Sequence, residues 1–235
     1  MAAESFDTFT STGGTVRPSG RRSHQVFEAL QQEIVLGTLL PSSALTELDL
    51  AQRFGCSQGT IREALMRLNE EGLVNRLPNR GTHVAPCAAD DARALLEIRR
   101  GIECSHLDRV MARTDAALLG ELRARLDAMR NAARDGDEYR LSTHDRGFHA
   151  RLFAAADLPL VTPILSRCLI HNHRYKILNS QPNRALEETA ERHVPIIAAL
   201  AQGDVEHLRQ LLDHHITTIV DFGPDLRASD AGEQS

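Results

Sequence analysis

The sequence predicts a mostly α-helical chain: three helices and a β-hairpin, followed by an all-α antiparallel helical bundle. Three observations carry this. Between residues 23 and 72, three stretches of helical period each open on a hydroxyl residue and close on glycine. Directly after them, two short runs flank the turn sequence Pro78-Asn79-Arg80-Gly81. From about residue 90 to Phe222 only helical periodicity is found, interrupted by short Gly, Pro or Asp breaks.

The first three helices are bracketed by their caps as Ser23 to Gly37, Thr46 to Gly55 and Ser57 to Gly72. Phe27, Leu30 and Ile34 share one face of the first. In the second, Thr46 and Asp49 form a capping pair ahead of Leu50, Ala51 and Phe54. Leu73 to Leu77 and Thr82 to Ala85 read as the two strands of a hairpin. Three helices and a hairpin make a winged helix-turn-helix, spanning residues 21–86, with residues 1–20 expected as a disordered tail. Six further helices are expected: Asp91 to Arg113, Asp115 to Arg134, Glu138 to Ala156, Pro159 to Asn179, Leu186 to Gln202 and Asp204 to Phe222. They form a bundle over 90–224, with 225–235 a second disordered tail.

Composition removes several classes. With 42% hydrophobic and 25% charged residues, the chain is that of a soluble globular protein, lacking the roughly 20-residue apolar run of a membrane helix. Residues 1–20 have no apolar core of a secretory signal, so a cytoplasmic protein is expected. Cys56, Cys87, Cys104 and Cys168 form no C-x-x-C pair and read as packing residues rather than disulfides or a zinc ribbon. Residues 1–89 carry net charge −1 and residues 90–235 net −4. Any phosphate-binding face must therefore come from local clustering.

Within Ser57 to Gly72, Ile61, Ala64, Leu65 and Leu68 form an inward stripe, which leaves Gln58, Gly59, Arg62 and Met66 facing outward near the N-terminal end. A recognition helix presents that part to the major groove, where Arg pairs with guanine and Gln with adenine. Ser57, Thr60 and backbone amides suit phosphate. Arg80 and His83 on the wing, with Arg21, Arg22 and Arg76, suit backbone or minor-groove contacts. Singly, each of these is as well explained as a solvated surface group; together they form one face.

The stretches Pro41-Ser42-Ser43-Ala44-Leu45-Thr46-Glu47, Leu50-Ala51, Gly55-Cys56-Ser57, Ile61-Arg62-Glu63-Ala64-Leu65, Glu71-Gly72-Leu73-Val74 and Arg80-Gly81-Thr82-His83-Val84 resemble the GntR-type DNA-binding domain. The resemblance covers about residues 23–85 and implies that Gly81 belongs to the DNA-contacting wing. It also marks two departures: Ser42 stands where the family usually has glycine, and Gln58 where it usually has arginine.

In the bundle, Asp145 and His149 lie at i, i+4 in or beside the apolar stripe of Leu141, Phe148, Leu152 and Ala155. His193 lies among Ala190, Val194 and Ile197, and His215 among Leu208, Leu211, Leu212 and Ile219. His193 is 10 residues before Gly203 and His215 is 12 after it. At about 1.5 Å per residue the two reach the same height, within roughly 3 Å, on antiparallel helices. A single inward histidine is usually a hydrogen-bonded core residue; one carboxylate and three imidazoles at one level suit zinc, nickel, manganese or iron. Such an ion keeps positive charge and open positions for an anionic small molecule.

Ile98-Arg99-Arg100-Gly101-Ile102-Glu103, Asp145-x3-His149, Glu191-Arg192-His193, Gly203-Asp204 and His215 are similar to the FCD effector-binding domain of the FadR branch of the same family. The resemblance implies that Asp145, His149, His193 and His215 hold the metal and that Arg99 meets an effector carboxylate. Arg99 reads equally as an intrahelical partner of Glu103. His171 and Arg174 are further effector-pocket candidates, with His171 a substitute metal ligand; His144, His173 and His214 are given no role. Asp157 stands where the family has asparagine.

The reading is a homodimeric transcription regulator, a repressor, whose affinity for a palindromic double-stranded DNA operator is set by a small carboxylate at the metal site. Two alternatives stand beside it: a metal-sensing repressor without organic effector, and a metallohydrolase, which lacks a further general base and has no need of the N-terminal unit.

Overall fold

The computed structural model describes residues 18–77, 81–179 and 185–219. Helix α1 runs Pro18–Leu36, β1 Ala44–Leu45, α2 Glu47–Phe54, α3 Gln58–Glu70, β2 Val74–Leu77 and β3 Gly81–Val84. The hairpin pairs as expected, Val74 with Val84 and Leu77 with Gly81, and β1 adds to its other side in the order β1-β3-β2. That third strand was not anticipated, because two residues are too short to show a period of two. Of the expected tail 1–20, residues 18–20 belong to α1 instead; residues 1–17, the turn residues Pro78, Asn79 and Arg80 and the expected tail 225–235 lie outside the described residues.

Two of the three expected hydroxyl caps are different. Helix α1 is already formed at Pro18, so Ser23 sits inside the helix and donates to the Gly20 carbonyl at 3.1 Å. Thr46 precedes α2 but makes no side-chain cap bond. Ser57 does cap α3, accepting from the Thr60 N–H at 3.2 Å. The inward stripe of α3 is fully buried against Phe27, Leu30 and Ile34 of α1 and Leu50 of α2.

The second unit comprises α4 (Ala89–Ser105), α5 (Leu107–Ala112), α6 (Ala116–Arg134), α7 (Glu138–Ala154), α8 (Thr162–Asn179), α9 (Leu186–Glu191), α10 (Val194–Gln202) and α11 (Val205–Thr217). Two expected helices are broken. The stretch expected as Asp91 to Arg113 turns at His106, with φ −117° and ψ 19°, and the freed Cys104 carbonyl takes a hydrogen bond from Arg209. The stretch Leu186 to Gln202 breaks at His193, because Pro195 in the first turn of α10 has no N–H to continue α9. Leu118, Leu122, Phe148, Leu152, Leu169, Ile196, Leu200, Leu208 and Leu212 form the bundle core. Ile170 of α8 belongs instead to the core of the N-terminal unit, so the two units pack through α8. Among the described residues no helix is long and apolar enough to cross a membrane.

Candidate functional site

Gln58, Gly59, Arg62 and Met66 are exposed on one side of α3, with Ser57 beside them and Gly81 exposed on the wing. Thr60, in contrast, is buried, and its hydroxyl lies 2.9 Å from that of Ser57. His83 is half-buried with its Nδ1 unpartnered. Arg80 lies outside the described residues. Glu47, which the sequence analysis did not single out, pairs with Arg62 at 2.8 Å and with Arg76 at 3.3 Å. The Arg62 hydrogen bond holds the Glu47 carboxyl below its ordinary range. No periodicity signals that contact, which depends on how α2, α3 and β2 meet.

The second site assembles inside the bundle. Asp145 and His149 come from α7, His193 from the α9–α10 break and His215 from α11, all of them buried. His149 Nε2 and His215 Nε2 are 3.1 Å apart, and the His193 and His215 ring centres 4.6 Å. One nitrogen from each of the three imidazoles lies within 4.8 Å of the others. Asp145 stands at the rim of this cluster, Oδ1 3.7 Å from His149 Nε2 and Oδ2 3.7 Å from His193 Nε2. Its closest imidazole is His173, at 3.3 Å. His173 was given no role, although its place three residues after Ile170 on α8 could have marked it as inward-facing.

The partners of the three imidazoles decide which nitrogen is free. His193 Nδ1 donates to the Thr189 and Ala190 carbonyls at 3.1 and 3.2 Å. Its Nε2 therefore carries a lone pair, yet that atom is buried with no hydrogen-bond partner. His149 Nδ1 donates to Glu103 Oε2 at 2.5 Å, which turns its Nε2 lone pair toward His215. Burial pushes His193 and His173 down to about 4 and His215 well below its ordinary value. At neutral pH His193 and His215 are therefore uncharged and can offer nitrogen lone pairs. Unpartnered nitrogen lone pairs converging on one point fit a divalent ion, and a carboxylate behind a ligating histidine is the usual second partner of such a site.

Arg99 is fully buried and satisfies one of its two readings directly, donating from Nε to Glu103 Oε1 at 2.6 Å. Its Nη1 and Nη2 have no partner. Burial raises the Glu103 carboxyl, but His149 and Arg99 outweigh that and hold it at about 2. The structure does not bring His171 or Arg174 to this centre. His171 Nε2 donates to the Glu71 carbonyl at the end of α3, at 2.9 Å. Arg174 donates to the Ala85 and Pro86 carbonyls at 2.7 and 3.2 Å. Almost every face of α8 is buried, so an inward position there does not specify which neighbour it meets. Asp157 takes φ +57°, a conformation asparagine also tolerates, so the family's turn is kept.

Residues 22–84 match the family described as "Bacterial regulatory proteins, gntR family", and residues 94–218 match the FCD domain. The chain is 31% identical over 202 residues to the HTH-type transcriptional regulator BphR of Paraburkholderia xenovorans (strain LB400), covering 83% of this chain and 82% of that one. It is 24% identical over 204 residues to the HTH-type transcriptional repressor RspR of Escherichia coli (strain K12), covering 87% and 90%. A crystal structure of a GntR regulator from Rhodococcus sp. RHA1 superposes with a TM-score of 0.69 at 27% identity, covering 92% of this chain and 100% of the other. These relatives are regulators rather than enzymes, which removes the metallohydrolase alternative. A capped recognition helix with a wing, joined to a helical bundle of the FCD type, places this chain in the GntR family of bacterial transcriptional regulators.

Proposed function

We propose that the protein is a repressor that acts as a dimer on a palindromic operator, its DNA affinity set by a small carboxylate bound at a metal held by Asp145, His149, His193 and His215. The observation that carries this is the buried, unpartnered His193 Nε2 facing two further imidazoles. A divalent ion there, zinc, nickel, manganese or iron, supplies a Lewis-acidic seat for a carboxylate oxygen. Arg99, buried with two free N–H groups, is the chain's own donor for the other oxygen. Glu103 orients Arg99 and His149 together. Ser57, Gln58, Gly59, Arg62, Gly81 and His83 meet the operator, and the repressor sign follows RspR, which is named a repressor.

The second reading, a repressor that senses the metal alone, is favoured by one observation. Arg99, His149 and His193 are fully buried and His215 nearly so, which closes the centre to solvent. A metal needs no more space than the imidazoles leave, whereas an organic acid requires the Arg99 side to open. Metal content of the purified protein, and operator affinity by gel shift with metal alone and with metal plus a panel of small carboxylates, separates the two. His193→Ala with His215→Ala is expected to abolish metal retention while the N-terminal unit stays folded. Unchanged metal content would reject the ligand set, and no fragment of genomic DNA bound above background would reject the regulator's operator.

A further inference from the structure

Where the N-terminal unit rests on the bundle there is a cleft of about 700 Å³, between the ends of α1 and α3 on one side and α7 and α8 on the other. Its volume falls in the range of small-molecule sites, roughly 300–1,000 Å³. Ala150, Ile164, Leu169 and Ile170 supply apolar wall, and Ile164 is 51% exposed despite its size.

Two arginines line this cleft, Arg146 in its wall and Arg167 at its exposed edge. Arg146 is half-buried and its hydrogen bonds go to neutral hydroxyls, Ser142 at 3.1 Å and Thr143 at 3.0 Å. Arg167 lies over Gly72, where an added Cβ would come within 2.3 Å of its Nη2. Among the described residues neither has a carboxylate at ion-pair distance. Glu70 and Glu71 also line the cleft; Glu71 accepts from Gln31 Nε2 at 2.6 Å, and burial raises its carboxyl against the pull of Gln31, Arg67 and Arg146. Arg146 is thus partly withdrawn from water without an ion pair, which is costly, and an anion placed beside it recovers part of that cost.

We propose that this cleft is a second ligand site, distinct from the metal centre, for a monoanion with an apolar body, an aromatic carboxylate or sulfonate. The anionic group lies between Arg146 and Arg167, and the ring covers Ile164 and Leu169. Because the walls belong to both units, such a ligand holds the end of the recognition helix against α7 and α8. Its affinity is thereby linked to that of DNA. The proposal stands whether or not the metal centre binds a carboxylate.

The test uses 1-anilinonaphthalene-8-sulfonate as probe, titrated by fluorescence against the full chain with and without bound metal. The expected result is saturable binding of one probe per chain, weakened at least tenfold by Arg167→Glu and by Ile164→Glu. Arg167 is exposed, so that substitution tests the site without threatening the fold. Binding should survive His193→Ala with His215→Ala. Probe binding that is lost in the histidine variant and kept in Arg167→Glu would place the probe at the metal centre and overturn the proposal. So would wild-type binding in both cleft variants. A change from dimer to monomer in Ile164→Glu, seen by sedimentation, would make the cleft an interface between copies and overturn it equally.

Discussion

Glu103 makes two contacts at once, accepting from Arg99 Nε at 2.6 Å and from His149 Nδ1 at 2.5 Å. A neutral amide in its place keeps the shape but removes the anionic acceptor that fixes the His149 Nδ1–H and orients its ring. Glu103→Gln is therefore expected to weaken metal binding by about 10–100-fold, the usual cost of losing an outer partner, as read by competition with a chelating dye. Unaltered affinity would show that His149 is not a ligand. The buried histidines also give the metal-free protein a pH dependence. His173 and His193 are pushed by burial from 6.5 to about 4, so below 6.5 the unfolded chain binds protons that the folded chain refuses. Their contribution is fully present above about 6.5 and is lost as the pH falls toward 4. Urea unfolding of chelator-treated protein across that range should show the decline. His173→Gln should flatten part of it, whereas the Glu103 contribution, held near 2, is lost only at lower pH.

At the scale of elements, the turn between α1 and β1 carries the clearest departure from the family. Ser42 has φ +66° and its N–H bonds to the Val84 carbonyl at 3.0 Å. A left-handed conformation costs a non-glycine residue about 1–2 kcal/mol, and glycine's greater freedom in the unfolded chain takes back about 0.5–1. Ser42→Gly is thus expected to stabilise the protein by up to about 1 kcal/mol, measured by urea unfolding, with the main-chain bond to Val84 kept. A loss of stability would mean that the serine side chain contributes more than its backbone strain costs. The helices and the hairpin were legible because each repeats its apolar positions over two or more turns or a clear alternation. The breaks at His106 and His193 were not, since one follows from a distant arginine taking a carbonyl and the other from a proline inside an otherwise continuous apolar stripe. His193 and His215 were legible from spacing because antiparallel neighbours fix relative height, and His149 from its place on the inward stripe of α7. Glu103 behind His149 and His173 beside Asp145 were not, because they depend on which side of α4 and α8 meets α7.

For the whole molecule, α8 lies between the histidine cluster and the DNA-binding unit, beside α7, whose Tyr139 hydroxyl donates to Gln31 of α1 at 3.0 Å. Two consecutive residues of α8 reach both: His173 stands 3.3 Å from Asp145, and Arg174 holds the Ala85 and Pro86 carbonyls of the segment leading out of the wing. One turn earlier, His171 holds the Glu71 carbonyl that closes the recognition helix. On the proposed function, a ligand at the bundle centre that shifts α8 would act on both ends of the reading element through these contacts, and coupling requires that they differ between the two states. Arg174→Met keeps the apolar bulk and removes both carbonyl bonds, which costs about 1–3 kcal/mol if the carbonyls stay buried and unpaired. Metal affinity should be unchanged, because Arg174 does not reach the histidine cluster. Amide exchange through residues 85–88 should quicken. The ratio of operator affinities between metal-stripped and Zn²⁺-loaded protein, measured by fluorescence anisotropy, should fall several-fold toward one. An unchanged ratio would show that coupling does not run through the Arg174 contacts, since the bonds removed are the ones that tie the linker to the bundle.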